Sequence, residues 1–379
     1  YTNLVGGQDE LVFDGGSTIF RPDGQLLARG KQLQEDLIVA DIDLSLASHD
    51  GNEDFKPRNR PQTSDPVGEP VVVKISEYTP TQEKRPAIKS IGELLNPLDE
   101  IYSALVLGTK DYVQKNHFDN VVIGLSGGID SSITAVIASD ALGAENVIGV
   151  AMPSRYSSKE SLLDARTLAE NLNIRFMTVP IEPAFESLIE MLSNAFKDTK
   201  VGTAEENLQA RIRGNILMAL SNKFGWIVLT TGNKSETSVG YTTLYGDMAG
   251  GFAVIKDVPK TLVYELAQYR NNHGEPYNII PQPIITKAPT AELRYNQADQ
   301  DTLPPYDILD SILKSYVEEN RSYMHIVRLG FDSNTVKSVI NMVDRNEYKR
   351  RQSPPGIKIT PRAFGRDRRL PIVNSYKQF

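Results

Sequence analysis

The chain has 379 residues, with 41 Lys and Arg against 48 Asp and Glu, a net charge of −7, and hydrophobic and charged shares of 40% and 23%. This length can bury a substantial core in two domains or in one large domain with appendages, and the acidic balance gives no general attraction to nucleic acid or an anionic membrane. No apolar run is long enough to span a bilayer, so a cytoplasmic protein is expected, and the absence of cysteine excludes disulfides, thiolate metal sites and cysteine nucleophiles from this chain.

In chain order, the opening runs "ELVFDG", "STIFRPDGQLLARG" and "EDLIVADIDL", separated by Gly and Pro-Asp-Gly signals, predict a few antiparallel strands over residues 1–46. Residues 47–89 are polar and Pro-rich, as in a linker, which puts a boundary near Ser90 and a main domain over residues 90–379. "NPLDEIYSALVLGTKDYVQKNH" has helical apolar spacing, with Asn96 as N-cap and Pro97 at the first helical position. Strand-like "NVVIGL", helical "SSITAVIASDALG", strand-like "NVIGVAMP", helical "SKESLLDARTLAENLN" and strand-like "RFMTVPI" follow. Two helical stretches, about 184–196 and 204–224, then lead into "WIVLTT". Continuous apolar strands alternating with helices predict an α/β fold, a doubly wound parallel sheet covered on both faces.

In such a sheet ligands bind beyond the carboxyl ends of the strands. "GLSGGIDSS", residues 124–132, sits at one of those ends. Gly127 and Gly128 allow a tight turn with unshielded N–H groups, and the following helix adds partial positive charge, so the loop suits a pyrophosphate. Gly124, Leu125 and Ile129 belong to the same string, and Ser126, Ser131 and Ser132 offer hydroxyl donors. Asp130 would repel a bare phosphate and makes sense with a divalent cation between them. Alternatively the string is a glycine turn in which Asp130 and the serines cap the helix. It is neither a Walker loop nor the dinucleotide fingerprint.

The loop resembles that of the N-type ATP pyrophosphatases, the adenine nucleotide alpha hydrolase-like enzymes that split ATP between its α and β phosphates. With "ENLQARIRGN" and "VLTTGNKSETSVGYTTLYGDMAGGFAVIKDVPKT" the chain from about Ser90 onward resembles the NAD synthetase family. The resemblance implies ATP-dependent amidation of deamido-NAD through an adenylated intermediate, with AMP and pyrophosphate released and ammonia as nucleophile. It implies Asp130 and Glu236 as carboxylates holding Mg2+. Lys260 would offset charge on the leaving pyrophosphate, and Thr231 and Thr290 would be further ATP contacts. By residue type alone Glu236 is a solvated helix-end acid, Lys260 a surface lysine, and Thr231 and Thr290 helix caps. For deamido-NAD the resemblance implies Arg213, Glu236, Tyr241, Thr242, Thr243, Leu244 and Asp247, with Tyr348 and Lys349 from "YKRRQSPPG". Ammonia-using members carry a lysine about where Leu244 stands, whereas glutamine-using members resemble this chain. On charge alone the stretch "NEYKRRQSPPGIKITPRAFGRDRRLP" reads as a solvated basic tail.

Residues 1–46 resemble the last strands of a nitrilase-like glutaminase domain, and the start at Tyr1 reads as a fragment of something longer. The family's glutaminase needs a cysteine that this chain lacks, so ammonia rather than glutamine is the expected nitrogen source for the chain as given. A homo-oligomer built on dimers is also implied, because the family's dinucleotide site lies at a subunit interface. Two alternatives stay open: another enzyme with this loop, GMP synthetase-like or tRNA-modifying, or a nucleotide-binding scaffold, which would be expected to have lost Asp130, Glu236 or Lys260. His49, His117, His273 and His325 show no metal-ligand spacing, and Trp226 reads as core.

Overall fold

The computed structural model describes residues 1–42, 91–373 and 379. The linker expected over residues 47–89 and its boundary at Ser90 lie outside the described residues, as does His49. The chain forms two compact units: Tyr1–Leu4 with Gly15–Leu94, and Val5–Asp14 with Leu95–Phe379.

In the first unit, β3 (Thr18–Phe20) and β4 (Leu26–Arg29) pair antiparallel around the Pro-Asp-Gly turn, which Arg21 and Gln25 close with a 2.8 Å main-chain bond. The third expected strand does not form over its described residues, 35–42. Leu37 and Val39 stand exposed there, and among the described residues no neighbouring strand supplies the ladder that a β run needs. Residues 43 and 44 of that run lie outside the described residues.

The short hairpin of β1 (Val5–Gln8) and β2 (Leu11–Asp14) belongs to the second unit. It lies on α1 (Pro97–Lys115), where Gly7 N donates to Asp111 Oδ2 at 2.7 Å and Lys115 Nζ to Gly7 O at 2.9 Å. Close approach explains Gly7 there: an added Cβ would stand 3.2 Å from the Cα of Gly108. Asn96 caps α1 as expected, accepting from the N–H groups of Leu98 and Asp99.

From α1 the chain alternates β5 (Val121–Gly124), α2 (Ile129–Leu142), β6 (Val147–Ala151), α3 (Lys159–Leu172), β7 (Arg175–Thr178), α4 (Glu182–Leu192), α5 (Thr203–Phe224) and β8 (Ile227–Thr230). Then come α6 (Lys234–Val239), the two-residue β9 (Phe252–Ala253), α7 (Lys260–His273) and α8 (Gln282–Thr286). The sheet is parallel throughout, in the order β7-β6-β5-β8-β9. Both faces are covered, which is why its strands read as unbroken apolar runs. Val121, Ile123 and Leu229 pack with α2 and α7 on one side, and Val122, Ile148 and Val228 with Phe185, Ile212 and Leu217 on the other. Trp226 is buried in the second layer. A third cluster joins α9 (Tyr306–Leu313), α10 (Tyr323–Arg328) and α11 (Ser333–Arg345), with the short α12 (Glu347–Arg350) following.

From β5 the sheet grows one way through β6 and β7, and beyond β5 on its other edge stands β8. Loops from these two neighbours therefore diverge, which opens a crevice at their carboxyl ends.

Candidate active site

The crevice is a cavity of about 310 Å³. In the loop after β5, Gly127 has φ +79° and a Cβ there would lie 2.2 Å from the carbonyl oxygen of Ser161, so no other residue fits without rearrangement. Gly128 is different: its φ is −97° and a Cβ would meet only Ser126 Oγ, at 3.2 Å. The turn therefore requires Gly127 but not Gly128. The serines hold the loop to itself, since Ser131 and Ser132 both donate to Gly128 O, at 3.0 and 2.8 Å. Ser132 is fully buried and does not line the cavity. Neither Asp130 nor any serine side chain caps α2, so its first N–H groups remain open to an anion.

Asp130, from the first turn of α2, meets residues from the β8 side. Lys260 Nζ bonds Asp130 Oδ2 and lies 3.2 Å from Glu236 Oε1, and it is almost wholly buried. Burial opposes the charge on Lys260, but the two carboxylates more than offset that and hold its pKa above the ordinary value. Asn233 joins the loops: its Oδ1 caps α6 through Glu236 N at 3.0 Å, and its Nδ2 donates to Asp130 Oδ1 at 3.0 Å. Asn233 is thus the cap, not Thr231, which lines the cavity instead. Glu236 is pushed up to about 7, first by desolvation and then by Asp130 and Asp299, against the pull of Lys260. Sequence reasoning missed Asp299. It is buried and takes bonds from Tyr306 at 2.8 Å and Tyr241 at 3.3 Å, and nothing in "YNQADQDTLPPY" marks it out.

Arg213 and Lys287 add cations to the same lining. Arg213 lines the cavity with its Nε on Met152 O at 3.0 Å, and burial lowers its pKa to about 10, still charged at neutral pH. Arg211, two residues earlier on α5, instead points outward to Leu244 O at 3.1 Å. Lys287 bonds Ser161 Oγ and Glu292 Oε1, the latter at 3.2 Å. Glu292 also takes the hydroxyls of Ser158 and Ser161 at 3.0 and 2.7 Å, pinning the segment that carries Thr290 against the start of α3. Thr290 caps no helix, since residues 287–298 around it are not helical; its Oγ1 accepts from Glu292 N at 3.2 Å.

Tyr241, Thr243 and Asp247 line the same cavity, and Thr243 N donates to Asp247 Oδ1 at 2.7 Å. Thr242, Leu244, Tyr348 and Lys349 are not among the lining residues. Lys349 instead bonds two main-chain carbonyls, and Tyr348 is exposed. Nor is this stretch a solvated tail: Arg350 is buried, and Arg368 donates to Tyr316 O at 3.0 Å.

Hard carboxylate oxygens at Asp130 and Glu236 suit Mg2+, but among the described residues no group of three or more His, Asp or Glu side chains could hold a metal ion. Two carboxylates beside a bare helix N-terminus fit a cation that arrives with phosphate oxygens completing its shell. Among the described residues no helix is long and apolar enough to cross a membrane.

A parallel sheet with a glycine turn, an open helix N-terminus and paired carboxylates at its switch point defines an adenine nucleotide alpha hydrolase-like protein. The NAD synthase family model matches residues 101–353, and the chain belongs to that family. It is 51% identical over its whole length to the glutamine-dependent NAD(+) synthetase of Thermotoga maritima, of which it spans 65%. It is also similar to the structure of the Acinetobacter baumannii glutamine-dependent NAD+ synthetase in complex with ADP, at 44% identity and TM-score 0.61, covering all of this chain and 62% of that one. The NMN synthetase of Francisella tularensis matches at 28% identity and TM-score 0.57, over 68% of this chain and 96% of that one. The chain thus spans a little under two thirds of the glutamine-dependent relatives it matches.

Proposed function

We propose that the chain converts deamido-NAD to NAD at the expense of ATP, with AMP and pyrophosphate as the other products. The observation that carries this reading is the cavity's polarity: Asp130, Glu236 and Lys260 converge beside the open start of α2, while Arg213 and the Tyr241–Thr243 turn face the same space.

The triphosphate lies along the loop 126–131, where Asp130 and Glu236 would hold a Mg2+ that offsets phosphate charge, and Thr231 and Thr290 complete the ATP contacts. An oxygen of the nicotinate carboxylate attacks the α-phosphorus, the bond to the β-phosphate oxygen breaks, and pyrophosphate leaves. Lys260 balances the growing charge. Ammonia then attacks the acyl carbon through its lone pair, loses a proton, and expels AMP. Arg213, Tyr241, Thr243 and Asp247 hold the dinucleotide, whose anionic groups suit a guanidinium fork. This reading places the enzyme in the cytoplasm, as a homo-oligomer built on dimers. In the longer relatives' architecture, ammonia would come from a glutaminase domain.

Incubating the chain with ATP, Mg2+, deamido-NAD and either ammonium or glutamine tests the reading. NAD, AMP and pyrophosphate are expected with ammonium only, faster as pH rises and free ammonia increases. ADP and phosphate as products would overturn adenylation. Nicotinate mononucleotide as a better substrate than deamido-NAD would shift the reading toward the activity named for the Francisella protein.

A further inference from the structure

Lys260 is the first residue of α7, so the place of its ammonium between Asp130 and Glu236 depends on how that first turn is held. Pro259 before it supplies no side-chain cap, and the opening N–H groups of the helix need acceptors from elsewhere. They find them on two other helices. Lys260 N donates to Ser235 Oγ at 2.8 Å, while Thr261 N and Thr261 Oγ1 both donate to Asp310 Oδ2 at 2.9 Å. Ser235 Oγ in turn donates to Asp310 Oδ1, which joins the two acceptors into one unit. The carboxylate of Asp310 also stands where the dipole of α7 favours negative charge.

Ser235 lies in the first turn of α6, directly before Glu236, so Asp310 ties the turn that carries Glu236 to the turn that carries Lys260. On α9 it follows Tyr306 by four residues, which puts both on one helix face. The Tyr306 hydroxyl lies 2.8 Å from Asp299 Oδ2 and 3.3 Å from Glu236 Oε1, so that face braces the acid–lysine cluster at two levels. Ser235, Thr261 and Asp310 themselves do not line the cavity. We infer that Asp310, acting with Ser235, is a positioning residue that caps α7 from outside and fixes Lys260 for the adenylation step. The inference rests on the proposed function for that step, in which Lys260 balances charge on the leaving pyrophosphate.

The test uses Ser235→Ala, Asp310→Ala and Asp310→Asn in the full chain. Exchange of labelled pyrophosphate into ATP, with deamido-NAD present and ammonia absent, reads adenylation alone. Loss of one hydrogen bond corresponds to about tenfold, and displacement of a reacting group by an ångström to about 100-fold. The exchange rate is expected to fall by about the first factor in Ser235→Ala and about the second in Asp310→Ala, and Asp310→Asn, which keeps one oxygen, should recover part of it. Calorimetric titration with ATP counts the chains that still bind. Wild-type stoichiometry beside a reduced rate supports positioning, whereas a loss of rate matched by an equal loss of binding sites overturns it. A folded Ser235→Ala with the wild-type exchange rate also overturns it. Amide hydrogen exchange at residues 260–262 reads the cap without substrate: faster exchange there in Ser235→Ala supports it and unchanged exchange overturns it. A wild-type chain that makes no NAD would overturn the proposed function, while the amide measurement would still decide the cap.

Discussion

The loops after β5 and β8 leave neighbouring parallel strands at the same level and meet at one lysine, yet they are held in different ways. The β5 loop is largely self-contained: Ser126, Ser131 and Ser132 satisfy groups within six residues of themselves, and Gly127 makes the turn. The β8 loop takes its order from far along the chain. Lys234, buried in the first turn of α6, reaches Asp257 at 3.0 Å, Glu318 at 2.7 Å and Thr360 Oγ1 at 2.6 Å, while Asn346, Lys349 and Arg350 hold the other end of that helix. Equivalent places in a sheet can thus be ordered by local main-chain chemistry or by long-range ion pairs. The second kind fails when a distant partner is lost.

The sharpest way to break this contrast is Lys234→Met. Asp257 would remain buried without its cation, and a broken buried pair costs about 3–5 kcal/mol. A denaturant titration should show that loss as a lower midpoint. A change below about 1 kcal/mol would mean that the β8 loop does not depend on its remote partners.

A comparison of Gly127→Ala with Gly128→Ala probes the self-contained loop. The first forces a side chain to φ +79° against the Ser161 carbonyl, at a cost of about 1–3 kcal/mol from backbone strain alone. Displacing the loop by an ångström would lower kcat/KM for ATP about 100-fold. The second should change stability by no more than about 0.5 kcal/mol, because its backbone angles suit any residue. Equal destabilisation by both, read from Tm, would refute the claim that only Gly127 makes the turn.

The smallest effect concerns the point where the loops meet. Desolvation, with Asp130 and Asp299 beside it, raises Glu236 to about 7 in the folded chain, above its ordinary value of 4.5. Between those values the folded state binds more protons than the unfolded state, so this group's contribution is complete below pH 4.5 and is lost as pH rises through 7. Without nucleotide, Tm should therefore fall from pH 5 to pH 7.5, and Glu236→Gln should flatten that slope. An identical pH profile in the variant would remove Glu236 from the strained cluster.

The strands and helices around the sheet were legible because their signals are local: Asn96 and Pro97 before α1, unbroken apolar strands, and glycines at the loop. Asp130, Glu236 and Lys260 came from strings that resemble a family, since composition alone would have left the lysine on the surface. Asp299 was not legible, because its value comes from two tyrosine hydroxyls contributed by other segments. The run at 35–42 departs from its β-type pattern for the converse reason: such a pattern makes no strand without an edge to pair with.

By itself the sequence determined the alternation of strand and helix, the glycine turn at a strand's carboxyl end, and the supply of carboxylates and cations, all of which depend on neighbours within a few residues. Only the tertiary structure decided which glycine is indispensable and that Lys260 is buried between two acids. It also decided that Lys349 faces carbonyls more than 100 residues earlier rather than the cavity. The physical reason is that desolvation and hydrogen bonding depend on which distant groups surround a side chain, and that is set when the layers pack.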